Sequence, residues 1–448
     1  MTFIPLKFLA LLPLVWSIWL AGYITEYPRG GLAEAVGTAE VVPAAAFLGD
    51  DPLIQWKREK IQAIWALLHR DGNTLPEKEL DAFMAGDFSA LEGSSVRPTA
   101  FILSGTPELE LSPAGMLFAG KDGRYWPVCS AVLTRPGTVL SAGHCISGLP
   151  ENMSLKVYFP FEGFRDIPAG GATLPCGPER ESCEADLVII DLAEPYTFVP
   201  PADYDTDASI EPGAPVKTLG FGMTSEILSD NGLSRSGQAN IRRCGCDGNS
   251  PVSDNQLCFT TAYGKGCTII NSYASLSIDS GAPLFSGWGS GYTLLGLARG
   301  IEKACDHPGE MESQYTDIRN RPSIKGLQDA VCTPDCEPVA SSSYDVLLEV
   351  DLALPGDSPV RSYPVQLGDS VHELVVTLNH EIHGFHPEPG ADLELVLPQG
   401  SDAACQRHYG AETCTVSNPG RGVYTVGIKT VSGRPAYQLA AVAIYQGD

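Results

Sequence analysis

Apolar positions along the 448-residue chain fall into distinct regimes. Residues Phe8 to Tyr23 form one uncharged apolar stretch, FLALLPLVWSIWLAGY, behind Lys7. It is short for a membrane span and has the layout of a secretory signal, with a short uncleaved anchor as the alternative. Residues 1–23 are assigned to it. Between Asp51 and Arg70, Leu53, Trp56, Ile61, Ile64, Trp65, Leu67 and Leu68 recur at mostly helical spacing, behind Asp50 and Asp51 at an N-cap position. A second short helix is expected over Glu77–Ala85. Residues 24–99 thus read as a helical prosegment or accessory region. From residue 100 the period changes. Short β runs over Val128–Leu133, Leu155–Phe159, Leu187–Leu192, Pro215–Phe221, Gln256–Thr260 and Tyr292–Leu297 are separated by Gly, Pro, Asn and Asp clusters. A helix near Ser323–Val331 closes this part. Residues 332–343 read as a linker. Further β runs, Asp345–Leu352, His372–Leu378, Leu393–Leu397, Tyr424–Ile428 and Tyr437–Ile444, make 344–448 a separate β module.

The 47 glycines and 35 prolines suit many short strands joined by turns, so the expected fold class is mainly β, a barrel or sandwich. Acidic residues outnumber basic ones 54 to 29, for a net charge of −25. That excludes nucleic acid as a natural partner and disfavours anionic lipid; membrane contact is expected only if the N-terminal apolar segment stays uncleaved. All 13 cysteines lie at or beyond position 129, which with the signal-like start points to an oxidised, exported chain. The expected location is secreted, periplasmic or at the cell envelope. Cys244-Gly-Cys246 lacks zinc-knuckle spacing and has no histidine nearby, so one of these two is read as the cysteine left over from a disulfide framework.

Acyl transfer through a serine needs a nucleophile on a tight turn, a base, an orienting carboxylate and oxyanion donors. Of the eight histidines, five lie in the last module, His69 in the helical N-terminal part and His307 in a polar loop. His144 ends the apolar run Val139-Leu140-Ser141-Ala142-Gly143-His144-Cys145, where an imidazole is held firmly yet reaches a cleft.

Here the residues carry a resemblance. Ser141-Ala142-Gly143-His144-Cys145 resembles the histidine motif of trypsin-like, chymotrypsin-fold serine proteases. Asp186-Leu187-Val188-Ile189-Ile190 resembles their aspartate and buried strand, and Asp279-Ser280-Gly281-Ala282-Pro283-Leu284 their nucleophile turn. Cys305, Pro308-Gly309 and Tyr315-Thr316 resemble the strand pair beside the specificity pocket. The resemblance implies a two-barrel protease domain over 100–331, with Ser280 as nucleophile, His144 as base and Asp186 as its orienting carboxylate. It implies oxyanion donors on the backbone of Ile278 and Ser280, although the family has glycine at position 278. Asp279 is implied to pair with a freed N-terminus after prosegment removal, although the usual Ile-Val-Gly-Gly start is absent. Ala274 falls at the base of the primary pocket, which disfavours cleavage after Lys or Arg. Arg299 and Lys303 are candidates for recognising an acidic side chain. The implied disulfides are Cys129–Cys145, Cys176–Cys183, Cys258 with Cys246 or Cys244, and Cys267–Cys305.

The tract Ala391–Leu395, Cys405 through Cys414, and Asn418-Pro419-Gly420-Arg421-Gly422-Val423-Tyr424 resembles the bacterial pre-peptidase C-terminal domain, a small β-sandwich carried by secreted peptidases and often removed after export. A Cys405–Cys414 bridge would staple its hairpin. His380, His383 and His386 recur every third residue ahead of Pro387 and Pro389. Surface histidines in a turn are expected there rather than a metal site, and a calcium site on Asp392 and Glu394 is the parallel alternative. The expected activity is a monomeric, exported serine endopeptidase acting on polypeptide, with no cofactor and no metal. The rivals are a catalytically impaired protease-like scaffold binding protein or glycan, and a metal-dependent hydrolase built on the C-terminal histidines.

Overall fold

The computed structural model describes residues 58, 62, 76–78, 80, 106–147, 149–150, 152–175, 186–204, 213–222, 232–241, 256–262, 279–287, 291–303, 310–319, 326–331, 343–355, 360–382, 392–398, 401–433 and 435–445, all within the unit Asp50–Asp448. The N-terminal apolar stretch lies outside them. Of the two expected N-terminal helices, only Arg58, Gln62, Glu77, Lys78 and Leu80 are described; all are helical, and Arg58 pairs with Glu77. No helix among the described residues is long and apolar enough to cross a membrane.

A two-residue strand, β1 (Thr106–Pro107), precedes a 7-stranded antiparallel sheet. That sheet comprises β2 (Ala114–Lys121), β3 (Arg124–Arg135), β4 (Thr138–Ser141), β5 (Ser154–Phe159), β6 (Gly163–Ile167), β7 (Ala172–Thr173) and β8 (Val188–Asp191). Their order is β6-β5-β2-β3-β4-β8-β7. Asp122-Gly123 turns β2 into β3 with φ of 53° and 80°, the two left-handed positions that a right-twisted hairpin requires. Ala193 N–H donates to Asp166 O at 3.0 Å, drawing the chain after β8 toward β6 and curling the sheet into a first barrel. The carboxylate of Glu162, between β5 and β6, accepts the N–H groups of Thr197, Phe198 and Val199 and fixes the segment that leaves this barrel.

The second 7-stranded sheet contains β9 (Pro215–Gly220), β10 (Arg235–Asn240), β11 (Gln256–Ala262), β12 (Pro283–Ser286), β13 (Thr293–Lys303) and β14 (Glu310–Asp317). Its order is β1-β10-β9-β12-β13-β14-β11, so the chain entering the first barrel is stitched to the second. Buried Lys217 reinforces this with ion pairs to Glu108 (2.6 Å) and Glu110 (2.8 Å). The barrels share a core, in which Met116, Phe118 and Leu140 of the first cluster with Leu219, Phe285 and Leu297 of the second. The short helix α1 (Leu327–Ala330) returns to the first barrel, where Thr134 Oγ1 donates to Ala330 O at 2.6 Å.

The C-terminal module is a β-sandwich. Its 5-stranded sheet holds β15 (Tyr344–Ala353), β17 (Val371–His380), β19 (Ala403–His408), β20 (Ala411–Ser417) and β22 (Tyr437–Tyr445), in the order β15-β22-β17-β20-β19. The 3-stranded sheet runs β16-β21-β18, from β16 (Val360–Leu367), β18 (Asp392–Val396) and β21 (Gly422–Ser432). Leu374, Val376, Leu378 and Leu439 of the larger sheet meet Val365, Leu393, Val426 and Ile428 of the smaller. The larger sheet is also covered on its other side. Val375, Ala440, Val442 and Ile444 pack with Leu109, Phe161 and Phe198 of the barrel part.

Every expected strand is found, most within a few residues at their ends, while β13 runs on past Leu297 to Lys303. Strands β10 (RSGQAN) and β14 (EMESQYTD) are too polar to show apolar alternation, and they form because neighbouring strands supply hydrogen-bond partners. The architecture is mainly β: a chymotrypsin-like two-barrel domain followed by a further β domain.

Candidate active site

The antiparallel pairing of β4 with β8 brings the histidine to the aspartate. Ser141 ends β4 opposite Val188, which opens β8. The turn leaving β4 and the residues entering β8 therefore meet at one end of the pair. That turn, Gly143–Cys145, is a single 3-10 turn that buries His144. His144 backbone N–H donates to Asp186 Oδ1 at 2.7 Å, and its Nδ1 lies 2.5 Å from Asp186 Oδ2. A carboxylate only accepts, so Nδ1 carries a proton, and in the neutral ring Nε2 is the nitrogen with the lone pair. Nε2 is buried and makes no hydrogen bond. Gly143 permits this approach, since a Cβ there would lie 3.0 Å from Leu187 N and O and 3.2 Å from Asp186 Oδ1.

Cys129 and Cys145 form a disulfide with Cα atoms 6.1 Å apart, fastening the histidine turn to β3. By loop-closure entropy, a 16-residue separation gives about 3 kcal/mol of stabilisation.

Ser280 sits in the turn Asp279–Gly281 that leads into β12, and is 2% exposed. Gly281 has φ 80°, and its absent side chain makes room for the histidine segment. A Cβ there would lie 2.3 Å from Ser141 Oγ, 2.4 Å from Ser130 O and 3.0 Å from Ala142 N. Ser130 N–H donates to Ser280 O at 2.8 Å, and Gly281 N–H to Ala298 O at 2.9 Å. The serine turn of the second barrel is thus bonded to β3 and packed against the residues two and three before His144.

Asp279 is fully buried, and its Oδ1 accepts Gly222 N–H at 2.8 Å. The phenol of Tyr315, donating to Thr218 Oγ1 at 3.2 Å, has its pKa driven well above the usual value by burial, with the Asp279 charge adding to the effect.

In β13, Ala298 holds the nucleophile turn, accepting from Gly281 and donating to Ala282 O at 2.9 Å. Half-buried Arg299 occupies the register irregularity that follows it. Lys303 ends β13 opposite Met311, with its side chain outside the description. Ile278, Ala274, Cys176, Cys183, Cys246, Cys267 and Cys305 lie outside the described residues, as does the side chain of Cys258. Gly222 and Ala298 carry no motif that marks them in the sequence. The end of the apolar run Val216–Phe221 was the signal available for Gly222.

In the C-terminal module Cys405 and Cys414 form a disulfide across β19 and β20. His380 is not in a surface turn: it ends β17, is 2% exposed, and its Nδ1–H donates to Glu381 O at 2.9 Å. Pairing of β17 with β20 and β22 on both sides extends the strand to this residue. His383 and His386 lie outside the described residues. Asp392 is engaged by Arg407 at 2.5 Å and lies 3.6 Å from His380 Nε2. Burial raises its carboxyl pKa, but the neighbouring His380 and the hydrogen bond from Arg407 outweigh this and hold it below the usual value. Glu394 pairs with Lys429 at 2.9 Å. Two other clusters of potential metal ligands occur among the described residues, and each contains a disulfide whose sulfurs offer no thiolate.

Residues 115–320 match the family model of trypsin, which supports a trypsin-like fold for the two barrels. Solved structures similar to this chain include mouse neuropsin, a serine protease expressed in the limbic system of the brain. It is 18% identical with a TM-score of 0.38, over 51% of this chain and 100% of that one. No curated protein matches the sequence.

Proposed function

We propose that the protein is a serine endopeptidase, with Ser280 as nucleophile, His144 as general base and acid, and Asp186 as the carboxylate that orients the imidazole. The observation that carries this reading is the His144–Asp186 pair, whose Nε2 is buried and unbonded, together with the packing of Ser141 and Ala142, just ahead of His144, against Gly281 of the turn bearing Ser280. In the reaction Ser280 Oγ attacks the scissile carbonyl while Nε2 takes its proton. Asp186 stabilises the imidazolium that forms. The imidazolium then protonates the leaving amine, and water repeats the sequence on the acyl-enzyme. The backbone N–H of Ser280, with that of Ile278, would bind the oxyanion. Asp279 would receive a freed N-terminal ammonium, adding a charged partner to the Gly222 N–H it already holds. The substrate is polypeptide. Disulfides at Cys129–Cys145 and Cys405–Cys414 support an exported enzyme, because such bonds persist in oxidising compartments.

Hydrolysis of an unfolded protein substrate tests the reading. The full chain is expected to cleave it, Ser280→Ala to be inactive, and Asp186→Asn to retain about 10⁻⁴ of the rate because the wrong tautomer faces the serine. Equal activity in Ser280→Ala would reject the assignment. Inactivity of the wild-type chain, once folded and processed, would favour a binding scaffold.

A further inference from the structure

We infer that the C-terminal β-sandwich is a permanent clamp on the protease domain that positions the nucleophile turn, rather than a detachable appendage. The positioning part rests on the assignment of Ser280 as nucleophile.

Strand chemistry supports the clamp. A sandwich with a free outer face shows apolar-polar alternation, whereas a sheet buried on both faces shows nearly continuous apolar runs. Strand β22, YQLAAVAIY, is buried from Tyr437 to Ile444, and β17 from Leu374 to His380. Their second face fits the barrels. Phe161 N–H donates to Thr377 Oγ1 at 3.1 Å, and Gly163 is packed so tightly that a Cβ would lie 2.3 Å from Thr413 Cγ2. Tyr409 N–H donates to Tyr125 O at 3.2 Å.

Buried polar side chains also join the two parts. Gln438 and Asn379 are 0% and 1% exposed on that face. Gln438 Oε1 accepts Ser234 N–H at 2.6 Å while its Nε2 donates to Ser234 O at 3.0 Å, so one side chain serves as a strand partner for the barrel backbone. Asn379 Nδ2 donates to Gly232 O at 2.9 Å and to Gln438 Oε1 at 2.7 Å. Without the barrels these amides would keep only each other, and without the sandwich the Ser234 N–H would lose the Gln438 oxygen.

The clamp leads toward the nucleophile turn. Gly232 N–H donates to Phe221 O at 2.7 Å, and the next residue, Gly222, donates to Asp279 beside Ser280. Gly232, at φ 98°, is itself seated on the end of β17, where a Cβ would lie 2.6 Å from His380 O. A continuous path of hydrogen bonds therefore joins Gln438 and Asn379 to the carboxylate next to the nucleophile. These two are positioning residues.

A site-specific protease sequence placed at 337–342 of the full chain tests the docking without reference to activity. After cutting, the two pieces are expected to co-elute at the mass of the intact chain in non-denaturing gel filtration. Separation into two folded pieces would overturn the clamp. The positioning role is read from the rate constant for fluorophosphonate reaction at Ser280, which reports on folded molecules rather than on their amount. Gln438→Leu, and the milder Asn379→Ala should Gln438→Leu fail to fold, are expected to lower that constant at least tenfold. A wild-type rate in a folded variant would overturn the positioning role alone. Absence of labelling in the wild-type chain would instead overturn the Ser280 assignment and the positioning role with it, leaving the docking to stand or fall on the gel filtration.

Discussion

Gly281 concentrates two demands on one residue. Its φ of 80° is strained for any side chain, and the space a Cβ would need is held by Ser141 Oγ and Ser130 O. The backbone strain alone costs about 1–3 kcal/mol. Gly281→Ala is therefore expected to lower stability by at least that amount in thermal unfolding and to displace Ser280 from His144, with loss of activity in the fraction that folds. A variant of wild-type stability and activity would show that the turn is not pinned as described. At this scale the sequence was informative wherever chemistry is local. The glycine after the serine, and the histidine ending an apolar run, were recognisable from residue type and neighbours. Gly222 and Ala298 were not, because each contributes only a backbone group, and any residue supplies one.

His408 closes β19 at the junction of sandwich and first barrel, with ring centroids 4.7 Å from those of Tyr125 and Phe164. Both its ring nitrogens are buried and unbonded. Burial, then the nearby Lys156 cation, lowers its pKa from 6.5 to about 4, against a weaker opposing pull from Asp166. Between pH 6.5 and 4 the unfolded chain binds a proton that the folded chain refuses. This contribution to stability is therefore intact above pH 6.5 and falls as the solution is acidified toward pH 4. His408→Phe keeps the aromatic packing and removes the proton. Its melting temperature relative to wild type is expected to be more favourable at pH 5 than at pH 7.5. An equal difference at both pH values would contradict the assignment. Element types were legible where the second face of a strand is polar or the run is strongly apolar, as in β3, β5 and β22. Strands such as β10 and β14 owe their conformation to ladders with distant segments, information that no local window contains.

Across the whole molecule, both barrels supply the candidate site and the sandwich grips both. Its sheet meets the first barrel at Phe161 and Gly163 and the second at Gly232 and Ser234. Of the linker expected over 332–343, only Ser343 lies among the described residues. The docking was written in the uninterrupted run Leu439–Ile444, but one apolar run does not say which surface will cover it. Asn379 and Gln438, which complete the junction, look like ordinary strand polars until their partners from the barrel are in view. The proposed reaction requires Ser280 to be an activated nucleophile. The most direct test is to treat the folded, processed full chain with a fluorophosphonate and map the adduct by peptide mass spectrometry. A single adduct on the peptide containing Ser280, lost in His144→Ala, is the expected result; an adduct on another serine, or none at all, would contradict it.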